Sequence, residues 1–336
     1  MGNKKISLGQ FYTKNSIYII GNLINDIDKS LTVVEPFCGE GDLLIVENPI
    51  EIYDIDPKIS SCVKRDTLLN PPNYDGKLVI TNPPFLAKNK NKDKTIYNLY
   101  DVSDLYKAAI KTILNCSGGI LITPLNFLCD EDSSIRNLFF DKFEIITLNI
   151  FEERVFDDTS YTICSFSFKK RVNFKMDDDI KCVFYPSKEI FNLNISKSTS
   201  WRVGSDFIKL IDSIVNIGLK RLTKNDTPNS NLFLRATDSG GSDGRISLCI
   251  NKTPFYGKDT DRTFASIITT TNYTDKEQEL ICSEFNEIIE SYREKYKSLF
   301  LTNYRTSTKS YARKRISFDV AYKLISYIIK KNNLPI

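Results

Sequence analysis

LTVVEPFCGEGD, residues 31–42, is an apolar, β-branched run that closes on Glu35-Pro36 and a turn with two glycines. Branched side chains favour an extended backbone, and a strand that empties into a glycine turn is how an α/β sheet opens its carboxyl edge to a ligand. Working outward, IEIYDI (50–55), KLVITNPP (77–84), GGILITPL (118–125) and FEIITLNI (143–150) have the same texture. Between KLVITNPP and GGILITPL, the segment LYDVSDLYKAAIKTILNC (99–116) sets apolar residues at helical spacing. The alternation predicts an α/β fold with a doubly wound, Rossmann-like parallel sheet. SYTICSFSF (160–168) follows FEIITLNI after a short link, so the two are expected to pair as an antiparallel hairpin at the sheet edge.

Beyond Lys170 the rhythm stops. Polar stretches and the cluster DSGGSDG (238–244) replace it, with helices expected at 276–300 and 317–331, the second capped by Ser317. Two domains follow, 1–170 and a smaller α+β domain at 171–336. Their charges differ: residues 1–170 hold 19 Lys+Arg against 23 Asp+Glu, a net −4, and residues 171–336 hold 27 against 19, a net +8. The basic half is the one suited to a polyanion.

Composition excludes several chemistries. The chain has no histidine, which removes the commonest general base and metal ligand and every Ser-His or Cys-His pair. Its eight cysteines include no Cys-x-x-Cys pair, so reduced, mostly buried thiols and no metal site are expected. Neither a long apolar run nor a signal peptide is visible, which predicts an intracellular protein without a membrane span.

The residues that carry chemistry sit at strand ends. The glycine turn at Gly39 and Gly41 lets a ligand approach the backbone, and Asp54, at the end of the next strand, can accept the hydroxyls of a ribose. Asp66 follows a short third strand. Then comes Asn82-Pro83-Pro84-Phe85, whose prolines fix φ and delete donors, leaving a stiff segment rich in acceptors. The Asn82 side-chain oxygen and the Pro83 carbonyl can draw both N–H bonds of an aryl amine toward tetrahedral geometry, localising its lone pair, while Phe85 stacks on the ring.

Taken in order, these segments resemble the gamma class of DNA adenine-N6 methyltransferases. Gly9 to Thr13 is similar to that family's opening motif, which implies that Thr13 holds the carboxylate of S-adenosylmethionine. Glu35, Pro36, Phe37 and Gly39 match its acidic-Pro-x-x-Gly motif around the methionine moiety. By the same resemblance Asp54 binds the ribose, Ile55 lies beside the cofactor adenine, Asp66 accepts from the adenine amino group, and Asn82 to Phe85 is the catalytic tetrapeptide. Val155-Phe156 looks like the motif whose aromatic packs on the other face of a flipped base. The resemblance covers about residues 8–170 and implies a target-recognition domain behind it, double-stranded DNA as partner, and a monomer that is either paired with a restriction endonuclease acting on the same site or acts alone. Asp42, where relatives place an apolar residue, and Thr67, where an aromatic is common, depart from the pattern.

RNA and protein-glutamine methyltransferases share the tetrapeptide, and a catalytically silent DNA-binding protein is a third reading. The basic second half favours DNA, and the filled chemical positions favour an enzyme. Within that half, residues 303–315 carry Arg305, Lys309, Arg313, Lys314 and Arg315 with no acidic residue, and are expected to lie on phosphates.

Overall fold

The computed structural model describes residues 13–156, 162–239, 244–258, 260–304 and 313–336. Arg305 and Lys309 lie outside them. Two compact units divide the chain, the first running to Trp201 and the second beginning at Arg202.

The first unit is built on one sheet. Its strands are β1 (Val33–Glu35), β2 (Ile50–Asp54), β3 (Val63–Lys64), β4 (Leu78–Thr81), β5 (Gly118–Pro124), β6 (Phe143–Phe151), β7 (Ile163–Lys170), β8 (Asp177–Tyr185) and β9 (Ile190–Ser196). They lie in the order β3-β2-β1-β4-β5-β7-β6-β8-β9. β3 through β5 in that order run parallel to one another, so the winding reverses at β1 and β4, the position where open α/β sheets receive ligands. Gly119 fixes how closely β5 approaches β4. Its φ is 145° and a Cβ there would stand 1.8 Å from the Val79 carbonyl oxygen, so only glycine fits.

Helices are fewer than a doubly wound fold suggests. α1 (Ser16–Ile20) precedes β1, α2 (Thr95–Tyr100) and α3 (Leu105–Thr112) precede β5, and α4 (Asn126–Cys129) and α5 (Ser134–Lys142) precede β6. The crossovers 36–49, 55–62 and 65–77 hold no α-helix. They are short and carry Pro36, Pro49, Pro57, Pro71 and Pro72, which delete backbone donors. The helix expected across 99–116 divides in two at Asp101, whose φ is 48°.

Two expectations are corrected. β6 and β7 do form an antiparallel pair, but not at the edge, because β7 lies between β5 and β6 and β6 pairs onward with β8. The boundary at 170 likewise falls inside the sheet. Arg171 explains why the unit continues: its guanidinium makes a buried ion pair with Asp178 of β8 and lies 5.1 Å from the Trp201 ring. Trp201 stacks on Phe140 at 5.2 Å, and Phe139 beside it contacts Phe127, Phe143, Phe166 and Phe168 at centroid distances of 5.1–5.7 Å. An aromatic core of this size holds β8 and β9 to the first unit through Trp201.

In the second unit, β10 (Lys220–Arg221), β11 (Leu232–Arg235), β12 (Ser247–Ile250) and β13 (Phe264–Ile268) form an antiparallel sheet in the order β10-β13-β11-β12. α6 (Ser205–Asp212) precedes it. α7 (Asp275–Tyr296) starts at a capping box made by Thr274 and Glu277, and the Asn286 side chain bonds both the N–H and the C=O of Leu248 on the outer strand β12. β14 (Thr302–Tyr304) and β15 (Arg313–Arg315) pair as a ribbon ahead of α8 (Phe318–Lys331), whose first turn is capped by Ser317 as expected. Among the described residues no helix is long and apolar enough to cross a membrane.

Candidate active site

A cavity of about 250 Å³ opens at the carboxyl ends of β1, β2 and β4. Of the residues singled out from sequence, Thr13, Phe37, Gly39, Asp54, Ile55, Asp66, Asn82 and Pro84 line it, and Glu35, Pro36, Pro83, Phe85 and Phe156 do not.

The turn after β1 is built by hydrogen bonds. Gly39 (φ 55°) donates its N–H to Asp54 Oδ2 at 2.8 Å, while Asp54 Oδ1 accepts from Asp56 N–H at 2.8 Å. Asp54 therefore organises the loops on either side of it, and each carboxylate oxygen retains a second lone pair for a ligand. Thr67 donates to the Pro36 carbonyl at 2.9 Å, which ties the loop after β3 to the same turn. Asp66 Oδ1 accepts from Leu68 and Leu69 N–H, both at 3.1 Å. Glu35 acts from behind the wall. Its Oε1 accepts from Phe37 N–H at 2.9 Å and from the Thr81 hydroxyl at 2.7 Å, and burial pushes its pKa up to about 8.

Asn82 leaves the end of β4, and its Nδ2 donates to Thr13 Oγ1 at 3.0 Å. This bond brings the opening segment onto the tetrapeptide and fixes the rotation of the amide. Behind the tetrapeptide, Leu86 is strapped to the start of α3. Its N–H donates to Asp104 Oδ1 at 3.0 Å, and its carbonyl accepts from Leu105 N–H at 3.2 Å and from the Tyr97 hydroxyl at 2.8 Å. Burial raises Asp104 to about 6, against the lowering effect of the amides it accepts. Phe85 is 2% exposed and edge-on to Tyr106, with centroids 6.2 Å apart, and Phe156 is 3% exposed.

The cavity is acidic. Among the described lining residues, Asp42, Asp54, Asp66 and Asp93 stand against Arg65, whose guanidinium bonds the Asn70 and Pro71 carbonyls and lies over the Tyr53 ring. Asp42 titrates above the ordinary carboxylate range because it is partly buried and faces Glu40. No helix N-terminus follows β1, and the Gly39 N–H is taken by Asp54, so the amides that cradle phosphate in dinucleotide sites are absent here. The site favours a cationic, ribose-bearing ligand over a pyrophosphate.

Sequence reasoning missed Arg65, Leu68, Asn91, Asp93, Ile96 and Leu105 in this wall. Arg65 and Leu68 flank Asp66 and could have been found by adjacency, whereas Asn91 and Asp93 sit in a lysine-rich loop without periodicity. Of the expected phosphate contacts, Arg313, Lys314 and Arg315 form β15. Arg313 Nε donates to the Asp238 carbonyl at 2.7 Å and Lys314 Nζ to Asn303 Oδ1 at 2.8 Å, so both also have structural duties.

No protein-family model matches the chain. Among solved structures, it is similar to the EcoKI M protein of a type I restriction enzyme (15% identity, 55% of this chain and 50% of that one, TM-score 0.40). Another is a type I restriction-modification methyltransferase subunit from Streptococcus thermophilus (14% identity, 53% and 48%, TM-score 0.39). Its sequence is 30% identical over 220 residues to the type II methyltransferase M.HincII of Haemophilus influenzae and, equally, to M.HindII of strain KW20 of that organism. The alignment covers 55% of this chain, which is thus similar to type II methyltransferases while spanning about two fifths of their length.

Proposed function

We propose that this chain transfers a methyl group from S-adenosylmethionine to N6 of an adenine extruded from duplex DNA. The observation that carries the reading is Asn82, first residue of Asn-Pro-Pro-Phe, standing at the end of β4 on the lip of an acidic cavity and bonded to Thr13. The cavity fits the cofactor: carboxylates suit its positive charge and its ribose, and Ile55, Leu68 and Phe37 suit an adenine ring. When bound, the cofactor supplies an electrophilic methyl group on a sulfonium.

The chain's own residues then have definite tasks. Asp54 would accept from ribose hydroxyls without releasing Gly39, and the Thr13 hydroxyl, which accepts from Asn82, keeps its proton to donate to the cofactor carboxylate. An amide oxygen accepts two hydrogen bonds, so Asn82, with the Pro83 carbonyl, would take the N–H bonds of the target amine and raise the lone pair's availability. Asn82 and Pro83 would hold the amine nitrogen toward the methyl group that the cofactor supplies, and the surplus proton of the amine would pass to water. Extrusion of the base costs a few kcal/mol. Phe85 and Phe156 would repay part of it by stacking, for which each ring must turn out of its buried position. Arg305, Lys309, Arg313, Lys314 and Arg315 would grip the phosphates. A restriction endonuclease of the same site would be the functional partner of a monomeric modifying enzyme.

Sequencing DNA treated with the purified chain and S-adenosylmethionine, with modified bases resolved singly, tests the proposal. N6-methyladenine in one sequence context is expected. Modified cytosine, or methyl transfer only to RNA or protein, would overturn it. Asn82→Ala should abolish transfer while leaving calorimetric S-adenosylmethionine affinity within a few-fold, since its task is on the substrate amine.

A further inference from the structure

Among the described residues, one face of the sheet of the second unit is covered only in part, by Phe255. Leu232, Leu234, Leu248, Ala265 and Ile267 are buried on the inner side, so Phe233 and Arg235 of β11, Ser247 and Cys249 of β12 and Phe264 of β13 point to the other. Phe233 and Phe264 are near parallel, 5.7 Å apart at 16°, and Phe255, on the loop after β12, stands edge-on to both at 84° and 72°. Its N–H donates to Ser266 at 2.9 Å, which fixes it over the sheet. The Arg235 guanidinium lies 5.3 Å from the Phe264 ring. All four side chains remain partly exposed.

Such a group is too open to be core and too ordered to be incidental. Three aromatic rings beside an arginine match the chemistry that receives unstacked nucleobases, each offering a π-face whatever its identity. The charge agrees. Among the described outward positions of these strands there is no carboxylate, and the loop that bears Phe255 also presents exposed Lys252 and Lys258. We propose that Phe233, Phe255, Phe264 and Arg235 form a stacking platform for unpaired bases of a DNA strand. This rests on DNA as the substrate, and it uses none of residues 303–315, where the phosphate contacts were expected.

Cys249 provides a direct readout. It pairs with Phe233 across the ladder and is the one exposed cysteine of the eight, the other seven being buried. A fluorescein-labelled twelve-residue oligothymidylate should bind the full chain and slow alkylation of Cys249 by iodoacetamide several-fold at saturation. Phe233→Ala or Phe264→Ala should each weaken its binding roughly five- to hundredfold. Phe264→Leu, which keeps apolar packing, should weaken it in the same direction if the effect is stacking rather than unfolding. A urea transition with the parent midpoint, followed by circular dichroism in parallel, reports that the second unit of each variant is folded. Unchanged oligothymidylate affinity in the folded variants, or Cys249 alkylated at the parent rate under saturating DNA, would overturn the platform. Tighter binding of twelve-residue oligouridylate would assign the platform to RNA and overturn the DNA assignment. Failure of the methylation reading looks different: the oligonucleotide would still bind and protect Cys249, and no methyl group would be transferred.

Discussion

With 1% of its surface exposed and Oε1 held by Phe37 N–H and the Thr81 hydroxyl, Glu35 keeps its proton to about pH 8, because burial penalises the carboxylate. Its ordinary value is 4.5. A folded-state pKa above the unfolded one means that the folded protein holds the extra proton between those limits, so stability falls as pH rises from about 4.5 through about 8. Asp104, raised to about 6, acts with the same sign at lower pH. Between pH 6 and 9 the urea midpoint should therefore drop in the parent, and the drop should shrink in Glu35→Gln. An equal drop in both would show that Glu35 is ionised in the folded state. Sequence marked Glu35 and Asp54 as neighbours of a ligand, yet it could not show that Glu35 acts through the Phe37 amide, or that Asp54 also binds the glycine turn. Both facts depend on which way a carboxylate points, and residue order does not encode that.

α3 contributes its first turn to the tetrapeptide through Asp104 and Leu86, a contact 18 residues apart in sequence. Asp104→Ala should release Leu86 and lower the methyl-transfer rate about a hundredfold, the cost of a misplacement near 1 Å, with cofactor affinity little changed. Asp104→Asn, which keeps the acceptor, should restore most of the rate. If Ala and Asn behave alike, the strap does not position the tetrapeptide. Gly119→Ala drives a Cβ against the Val79 carbonyl and should cost about 3 kcal/mol in chemical denaturation. A loss below about 0.5 kcal/mol would mean that β4 and β5 can part without penalty. The parallel strands were legible because each is a β-branched run ending in turn residues. β8 was not read, although DDDIKCVFY (177–185) alternates polar and apolar residues and IFNLNIS (190–196) answers it. It opens on three aspartates, a residue depleted in strands, but Asp178 is buried against Arg171.

At the scale of the molecule, the charge asymmetry predicts how DNA binding responds to salt. Arg313→Ala with Arg315→Ala should flatten the slope of log affinity against log salt by about two, since each phosphate that the protein ceases to neutralise removes about 0.9. The carbonyl and ladder contacts of β15 give the opposite outcome a meaning too: an unchanged slope would reduce these residues to rungs of the ribbon. The threading of the large sheet bears on how the protein is born. β7 separates β5 from β6, so a nascent chain that has delivered β6 still has nothing to lay against the edge of β5 opposite β4. Until residue 170 clears the ribosome, an interval on the order of a few seconds at usual elongation rates, the edge of β5 stays open to any extended segment nearby. Translational pausing in the stretch after residue 124 would lengthen that exposure, and the yield of correctly inserted β7 would become a property of synthesis speed as well as of the finished sequence.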